Sequence, residues 1–216
     1  MWTASACCAL SDSCHQVDPL MAQRMATWVL WAVINTQRRM DAYLNAQRRG
    51  AWDQAVEGRG QSWDNSDVRV GVMGRGVMGS GTARLLHAAG EWPQNWGSRV
   101  EGGEGWKDWV QLCASPHAPS SLEPRLLTGY AVTAWSRSGG ACEDGYTHVH
   151  GADALDGFLR TSDILVCLLP LTPETRGILN ATTLAKLPRG ASIINAARGQ
   201  HVFEADLLEA LDSGAF

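Results

Sequence analysis

The sequence has few of the features that mark membrane, secreted or metal-binding proteins. No apolar run approaches the ~18 residues that a membrane helix needs. None of the six cysteines forms a CxxC pair, which argues against a zinc site or a disulfide framework and favours reduced thiols. The N-terminus has no basic stretch followed by an apolar core, so a secretory signal is not expected. These absences predict a cytoplasmic protein, with an organelle as the alternative.

Charge and composition exclude further classes. The formal net charge is -4, so the chain is not expected to bind nucleic acid by neutralising phosphates. Carboxylates occur singly and without metal-ligand spacing, and no metal is predicted. What the 216 residues do contain is 45% apolar residues, enough for one or two domains with a buried core.

A long helix is predicted near the N-terminus, over about residues 19–49. Asp18 is a suitable N-cap, Pro19 suits the first helical position, and Gly50 can end the helix in a left-handed conformation. Its apolar residues recur at helical spacing but cover more than one face. This surplus predicts contact with a neighbouring domain or subunit, with a plain core helix as the alternative. We assign residues 1–66 to this helix and a polar linker.

From residue 67 to residue 216 the pattern alternates between strands and helices. Strands are expected at VRVGVMG, AVTAW, THVH, DILVCLLP and ASIINAA, with helical segments between them and EADLLEALDSG as a final helix. Several of these strands are apolar on both faces, which is typical of a parallel sheet covered by helices. The fold class predicted is α/β: a Rossmann-type, doubly wound parallel sheet, incomplete at about five strands, preceded by the long helix.

Residues 91–128 interrupt this alternation between the first helix and the second strand of the sheet. The segment is rich in glycine, proline and serine and holds four of the ten tryptophans. A stretch of that length without its own secondary structure is uncommon inside a compact domain. We predict a loop insertion, with a segment absent from the native product as the alternative.

A glycine motif follows the first strand directly and opens the next helix. Its residues are Gly74, Arg75, Gly76, Val77, Met78 and Gly79. The first glycine permits the tight turn, the second lets backbone approach a pyrophosphate, and the third allows close packing of helix on strand. Free N–H groups and the helix dipole favour an anion at such a helix start. The motif therefore predicts a dinucleotide-binding turn.

The end of the second strand indicates which dinucleotide is bound. The usual acidic residue for the ribose 2′-hydroxyl is absent there, and the strand ends in Ser136, Arg137 and Ser138. An arginine between two hydroxyls suits a 2′-phosphate, because its planar group donates two bonds and keeps its charge. This favours NADP over NAD; NAD is the second candidate, and a solvent-exposed arginine without a ligand is the alternative.

These motifs together resemble the D-isomer-specific 2-hydroxyacid dehydrogenases, and within them the glyoxylate/hydroxypyruvate reductase A branch. The resemblance rests on VGVMGRGVMGSGTARLL, WSRS, DILVCLLPLTPETRGILN and LPRGASIINAARGQHVFEADLLEALDSG, together with the long helix. It implies an oxidoreductase that reduces a small 2-oxoacid with NADPH. In that branch the long helix joins the substrate domain to the cofactor domain and contributes to a homodimer.

The resemblance also implies roles for individual residues. Arg198 matches the arginine that holds the substrate carboxylate and carbonyl. The loop along the cofactor is matched by Leu169, Pro170 and Thr175, and the segment that approaches the nicotinamide by Ala196 and Ala197. No membrane or nucleic-acid partner is implied.

One part of the family's chemistry is not matched. The family needs a histidine as general acid and a glutamate that orients it, and both lie beyond the matched segment. Similar sequences carry a histidine at the position of His201 without its being the acid. The chain is therefore expected to be cut at both ends of a two-domain enzyme, with residues 1–66 as a remnant of the substrate domain and residues 67–216 as the NAD(P)-binding Rossmann domain. The alternative to an active reductase is a dinucleotide-binding fragment that lacks the general acid.

Overall fold

The structure, a computed structural model, describes residues 18–52, 65–89, 129–139 and 145–214. The predicted insertion at 91–128 and most of the predicted linker lie outside the described residues. Among the described helices, none has both the length and the apolar character needed to cross a bilayer.

Two helices, not one, occupy the N-terminal part of the described chain. Helix α1 spans Pro19–Gln37 and helix α2 spans Met40–Arg48. The predicted cap is confirmed, since the Asp18 carboxylate accepts a hydrogen bond of 2.9 Å from the N–H of Leu20.

The prediction of one continuous helix is wrong, because the chain turns between α1 and α2. Arg39 there has a φ of +49°, the left-handed region that ends a helix. Just before it, the Thr36 hydroxyl donates to the carbonyl oxygen of Ala32, and the Asn35 side chain donates to that of Trp31. Such side-chain bonds compete with the helical ladder and favour bending.

Five parallel strands form one sheet in the described part of the chain, which confirms the predicted fold class. The strands are β1 Arg69–Met73, β2 Ala131–Ser136, β3 Thr147–His150, β4 Ile164–Cys167 and β5 Ser192–Asn195. Their order is β3-β2-β1-β4-β5. Strands β2 and β3 lie on one side of β1, and β4 and β5 lie on the other side. The direction in which strands are added to the sheet therefore reverses after β3. In such sheets the ligand crevice lies beyond the carboxyl ends of the strands at this switch point.

Helices cover both faces of the sheet. They are α3 Val77–Ala88, α4 Ala152–Arg160, α5 Ala181–Leu184 and α6 Glu204–Asp212, with short 3-10 turns at Asn65–Asp67 and Gly199–His201. On one face, Val29 and Val33 of α1 and Leu86 of α3 are fully buried against the sheet. On the other face, α4, α5 and α6 pack against the alternate strand residues, including Met73 and Leu165. The two apolar cores hold the strands in place, and the loops that follow the strands come together at the carboxyl edge of the sheet.

Candidate functional site

The turn after β1 is held by backbone contacts that only glycine permits. Gly74 has a φ of +109°, and a Cβ there would lie 2.8 Å from the carbonyl oxygen of Leu168. Its N–H donates to the carbonyl oxygen of Trp135 at 2.8 Å, which ties the turn to β2. A Cβ on Gly79 would collide with the carbonyl oxygen of Gly74. The first turn of α3 therefore packs directly on the end of β1.

The start of α3 faces open space. Gly76 is the N-cap and has no side chain to bond the first helical N–H groups, and a Cβ on Gly76 would meet nothing within 4 Å. Val77 is 57% exposed beside it, while Arg75 and Met78 are half-buried. Uncapped N–H groups at a helix start carry partial positive charge and suit an anion. The local geometry thus fits a pyrophosphate, with room for it where a side chain is missing.

The turn after β2 presents polar groups close by. The Ser136 hydroxyl donates to the carbonyl oxygen of Ser138 at 2.7 Å and accepts from Nε2 of His148 at 2.8 Å. Arg137 is exposed, and its Nη1 lies 3.4 Å from Oε2 of Glu174. Glu174 was missed by the sequence analysis, because it follows β4 and nothing local indicates that its loop reaches β2.

The loop after β4 is held by internal hydrogen bonds. The Thr175 hydroxyl donates to the carbonyl oxygen of Pro170 at 2.7 Å and accepts from the N–H of Thr172 at 2.8 Å. Leu169 is buried below the loop and Pro170 is exposed. These contacts carry the loop across the end of β1, next to the glycine turn.

The loop after β5 presents Arg198 to solvent. The Asn195 side chain accepts from the N–H of Ala197 at 3.1 Å and donates to the carbonyl oxygen of Arg198 at 2.9 Å, which fixes the backbone. The Arg198 guanidinium bonds the carbonyl oxygen of Ala197 at 3.1 Å. Among the described residues it forms no ion pair with a carboxylate. A cation without a carboxylate partner at a strand end can bind an incoming carboxylate.

His201 is fully buried behind this loop. Its Nδ1 accepts from the N–H of Arg198 at 3.3 Å, and its Nε2 faces the carbonyl oxygen of Pro170 at 3.4 Å. The ring therefore links the loops after β4 and β5 and does not face solvent. The position suits a structural residue.

A cavity of about 400 Å³ lies between α1 and the end of β5. Its lining residues are Met21, Arg24, Met25 and Trp28 from α1, and Asn195, Ala196 and Ala197 from β5 and its loop. Within the described ranges no carboxylate pairs with Arg24. This contribution of α1 is not predictable from the sequence, because helical spacing gives no information on which strand end the helix faces.

The predicted site residues form two groups along one edge of the sheet. The first, which we call the phosphate group, comprises the glycine turn, Ser136, Arg137 and Ser138, and the loop with Leu169, Pro170 and Thr175. The second, the reaction group, comprises Ala196, Ala197 and Arg198 beside the cavity. Both lie at the carboxyl ends of the strands, as the sheet order requires.

Comparisons with known proteins identify the family that this chain resembles. The family model described as D-isomer specific 2-hydroxyacid dehydrogenase, NAD binding domain, matches residues 126–216. The glyoxylate/hydroxypyruvate reductase A of Photorhabdus laumondii is 32% identical over 197 residues, which cover 91% of this chain and 49% of that protein. The chain thus spans about half the length of this curated relative.

Solved structures show the same similarity. A D-isomer specific 2-hydroxyacid dehydrogenase from Xanthobacter autotrophicus Py2, in complex with NADPH and MES, is 36% identical with a TM-score of 0.65 over 92% of this chain and 64% of that one. The apo NADPH-dependent glyoxylate/hydroxypyruvate reductase from Sinorhizobium meliloti is 34% identical with a TM-score of 0.65, over 93% of this chain and 80% of that one.

Proposed function

Because this chain belongs to the D-isomer-specific 2-hydroxyacid dehydrogenase family, we propose that it binds NADPH along the carboxyl edge of its sheet for the reduction of a small 2-oxoacid, such as glyoxylate or hydroxypyruvate. One observation carries the proposal: the glycine turn and Arg198 lie at the same edge. When bound, NADPH supplies the hydride that converts a 2-oxoacid to a 2-hydroxyacid. NAD is the second candidate cofactor.

The phosphate group of residues binds and orients the dinucleotide. The N–H groups at the start of α3 bind the pyrophosphate where Gly76 leaves space, and Arg75, Val77 and Met78 border it. Arg137 holds the 2′-phosphate with the hydroxyls of Ser136 and Ser138. The loop with Leu169, Pro170 and Thr175 keeps its shape through the Thr175 hydroxyl and borders the cofactor.

The reaction group of residues binds the substrate. Arg198 holds the carboxylate of the 2-oxoacid and withdraws charge from its carbonyl oxygen, because its guanidinium is permanently charged and has no carboxylate partner among the described residues. Ala196 and Ala197 are small, so the nicotinamide ring and a small substrate fit beside the cavity. Asn195 keeps Arg198 at this edge through its two backbone hydrogen bonds.

A second candidate function is dinucleotide binding without turnover. The reaction needs a proton donor for the carbonyl oxygen. Of the histidines in the described part of the chain, only His201 lies next to Arg198. Its ring nitrogens are directed at backbone groups. His148 and His150 lie on β3, and His87 ends α3, away from Arg198. This observation favours a chain that binds NADPH and transfers hydride slowly or not at all.

Association of two copies through α1 is part of the proposal. Trp28 and Trp31 are 47% and 59% exposed, their rings are 6.5 Å apart, and Ile34 adds a further exposed apolar side chain. A contiguous apolar surface of this kind favours a protein contact. Light scattering should give twice the chain mass, and Trp31→Glu should give the single mass. We place this assembly in the cytoplasm.

Calorimetric titration with NADPH, followed by an assay of NADPH oxidation with glyoxylate and with hydroxypyruvate, tests the proposal. Binding with turnover supports the reductase. Binding without turnover supports the second candidate. A flat titration contradicts both, because each requires the glycine turn to hold a dinucleotide.

A further inference from the structure

An ion pair joins the loops that follow the two neighbours of β1 in the sheet. Arg137 follows β2 and Glu174 follows β4, and these two strands lie on either side of β1. Arg137 Nη1 and Glu174 Oε2 are 3.4 Å apart, with 68% and 60% of the side chains exposed. The arginine that the sequence predicts for a 2′-phosphate therefore has a carboxylate within contact distance, supplied by a different loop.

Glu174 is held in this place in its charged form. Hydrogen bonds from the Thr172 side chain and from the Glu174 backbone N–H, and to a smaller extent the charge of Arg137, lower the pKa of the Glu174 carboxyl. Thr172 is itself fixed, since its N–H donates to the Thr175 hydroxyl at 2.8 Å. The carboxylate is thus negatively charged at neutral pH.

A carboxylate beside this turn has opposite effects on the two dinucleotides. It accepts hydrogen bonds from an unmodified ribose, the task that an acidic residue at the end of the second strand performs in NAD sites. Toward a 2′-phosphate it is a like charge, and it also competes for Arg137. The end of β2 itself has no acidic residue, so Glu174, in the loop after β4, supplies the carboxylate that β2 lacks.

We propose that Glu174 is a cofactor-specificity residue: its carboxylate opposes the 2′-phosphate that Arg137 attracts and keeps the site open to NADH as well as NADPH. The proposal rests on dinucleotide binding at this edge, as set out under the proposed function. Other polar groups at the turn do not replace this charge. His148 is bonded to Ser136, and the ring of His150 packs beside Gly139.

Glu174→Gln keeps the size of the side chain and removes its charge. We expect NADPH to bind about three- to fivefold more tightly, the size of one exposed charge interaction. NADH should bind with unchanged or weaker affinity, so the ratio of the two dissociation constants shifts toward NADPH. The measurement is a titration of protein fluorescence with each dinucleotide. Glu209→Gln, an exposed glutamate of α6, is the matched control and should leave the ratio unchanged.

Three results overturn the inference. Dissociation constants for both dinucleotides that are unchanged by Glu174→Gln mean that the carboxylate does not act on either one. Equal gains for both dinucleotides mean a general charge effect. If the unmodified chain binds neither dinucleotide, the proposed function fails with it. Arg137→Gln separates the two ideas: loss of the NADPH preference in that variant, with no effect of Glu174→Gln, leaves the proposed function intact and removes only the role of Glu174.

Discussion

The phosphate group and the reaction group lie on one edge of the sheet but are built differently. The phosphate group depends on backbone: a turn at Gly74, the contact of Gly79 with that turn, and uncapped N–H groups at α3. The reaction group depends on an exposed side chain, Arg198, beside a cavity closed on one side by α1. The difference teaches that the backbone of the glycine turn forms the proposed pyrophosphate site by itself, whereas the proposed substrate site also needs a side chain after β5 and the packing of α1.

The largest effect should come from Gly79→Ala, which breaks the phosphate group. The added Cβ would collide with the carbonyl oxygen of Gly74, so the helix must move away from the turn. We expect the free energy of unfolding to fall by about 2–4 kcal/mol and NADPH binding to be lost. Chemical denaturation and calorimetry measure the two effects.

Gly81→Ala is the matched control, two residues further along the same helix. A Cβ on Gly81 would meet nothing within 4 Å, and alanine is the better helix former by about 1 kcal/mol. This variant should therefore be slightly more stable and bind NADPH normally. Equal destabilisation by the two substitutions would show that helix propensity, and not the contact with Gly74, sets the requirement at Gly79.

The next effect should come from Arg198→Met, which breaks the reaction group alone. Removing a charge-assisted bidentate pair costs about 1.5–3 kcal/mol, so oxalate should bind the NADPH complex roughly 10- to 100-fold more weakly. NADPH affinity and the unfolding free energy should stay unchanged, because the side chain is exposed. Arg189→Met, another exposed arginine, is the control. An unaltered oxalate affinity would remove Arg198 from the substrate site.

A smaller effect concerns the attachment of α1, which borders the reaction group. The Tyr130 hydroxyl is buried and donates to Gln37 of α1 at 2.6 Å, and burial raises the pKa of Tyr130 from 10.0 to about 12. The unfolded chain ionises first, so stability is complete below pH 10 and declines as the pH rises toward 12. We expect a loss of up to about 2 kcal/mol over this range.

Tyr130→Phe tests this pH dependence. The variant should be less stable by about 1 kcal/mol at neutral pH, because Gln37 loses a buried partner. Its unfolding free energy should change less between pH 10 and pH 12 than that of the unmodified chain. The same decline in both proteins would assign the effect to other groups.

The smallest effect should come from the opposite, amino edge of the sheet. Burial raises the pKa of the Asp163 carboxyl, but its hydrogen bonds and ion pair with Arg69 together lower that pKa by more, so the net shift is downward. The pair is partly exposed, and Asp163→Asn should cost less than about 1 kcal/mol at neutral pH. The loss should disappear as the pH falls through the lowered pKa, where the unmodified pair also breaks. NADPH affinity should not change; a change would contradict the separation of the two edges.

Local sequence patterns were sufficient for the sheet and the glycine turn. Each of the five strands begins or ends within a predicted apolar segment, and the parallel α/β fold is confirmed. These features depend on residues close in sequence: alternating apolar runs and glycines at a fixed spacing. The roles of Arg198 and of the phosphate group remain predictions until ligand binding is measured.

Features that depend on long-range contacts could not be predicted. The turn between α1 and α2 is a local feature, but it contains neither glycine nor proline, and the Asn35 and Thr36 bonds that favour bending are visible only in the structure. Glu174 meets Arg137 only because β2 and β4 flank β1 in the sheet. Arg24 borders the cavity because α1 packs across α3 toward β5. The last two cases required the topology first.

The contact between the end of α3 and the start of β2 determines how the length of the segment that connects them affects stability. The N–H of Tyr130 donates to the carbonyl oxygen of Leu86 at 3.2 Å, and a Cβ on Gly129 would collide with the carbonyl oxygen of His87. The two ends of the intervening segment therefore meet at one point of the amino edge, opposite the site. Loop-closure entropy rises by only about 0.6 kcal/mol for each doubling of length. A change in the length of the connection at this position should therefore alter the free energy of unfolding only slightly.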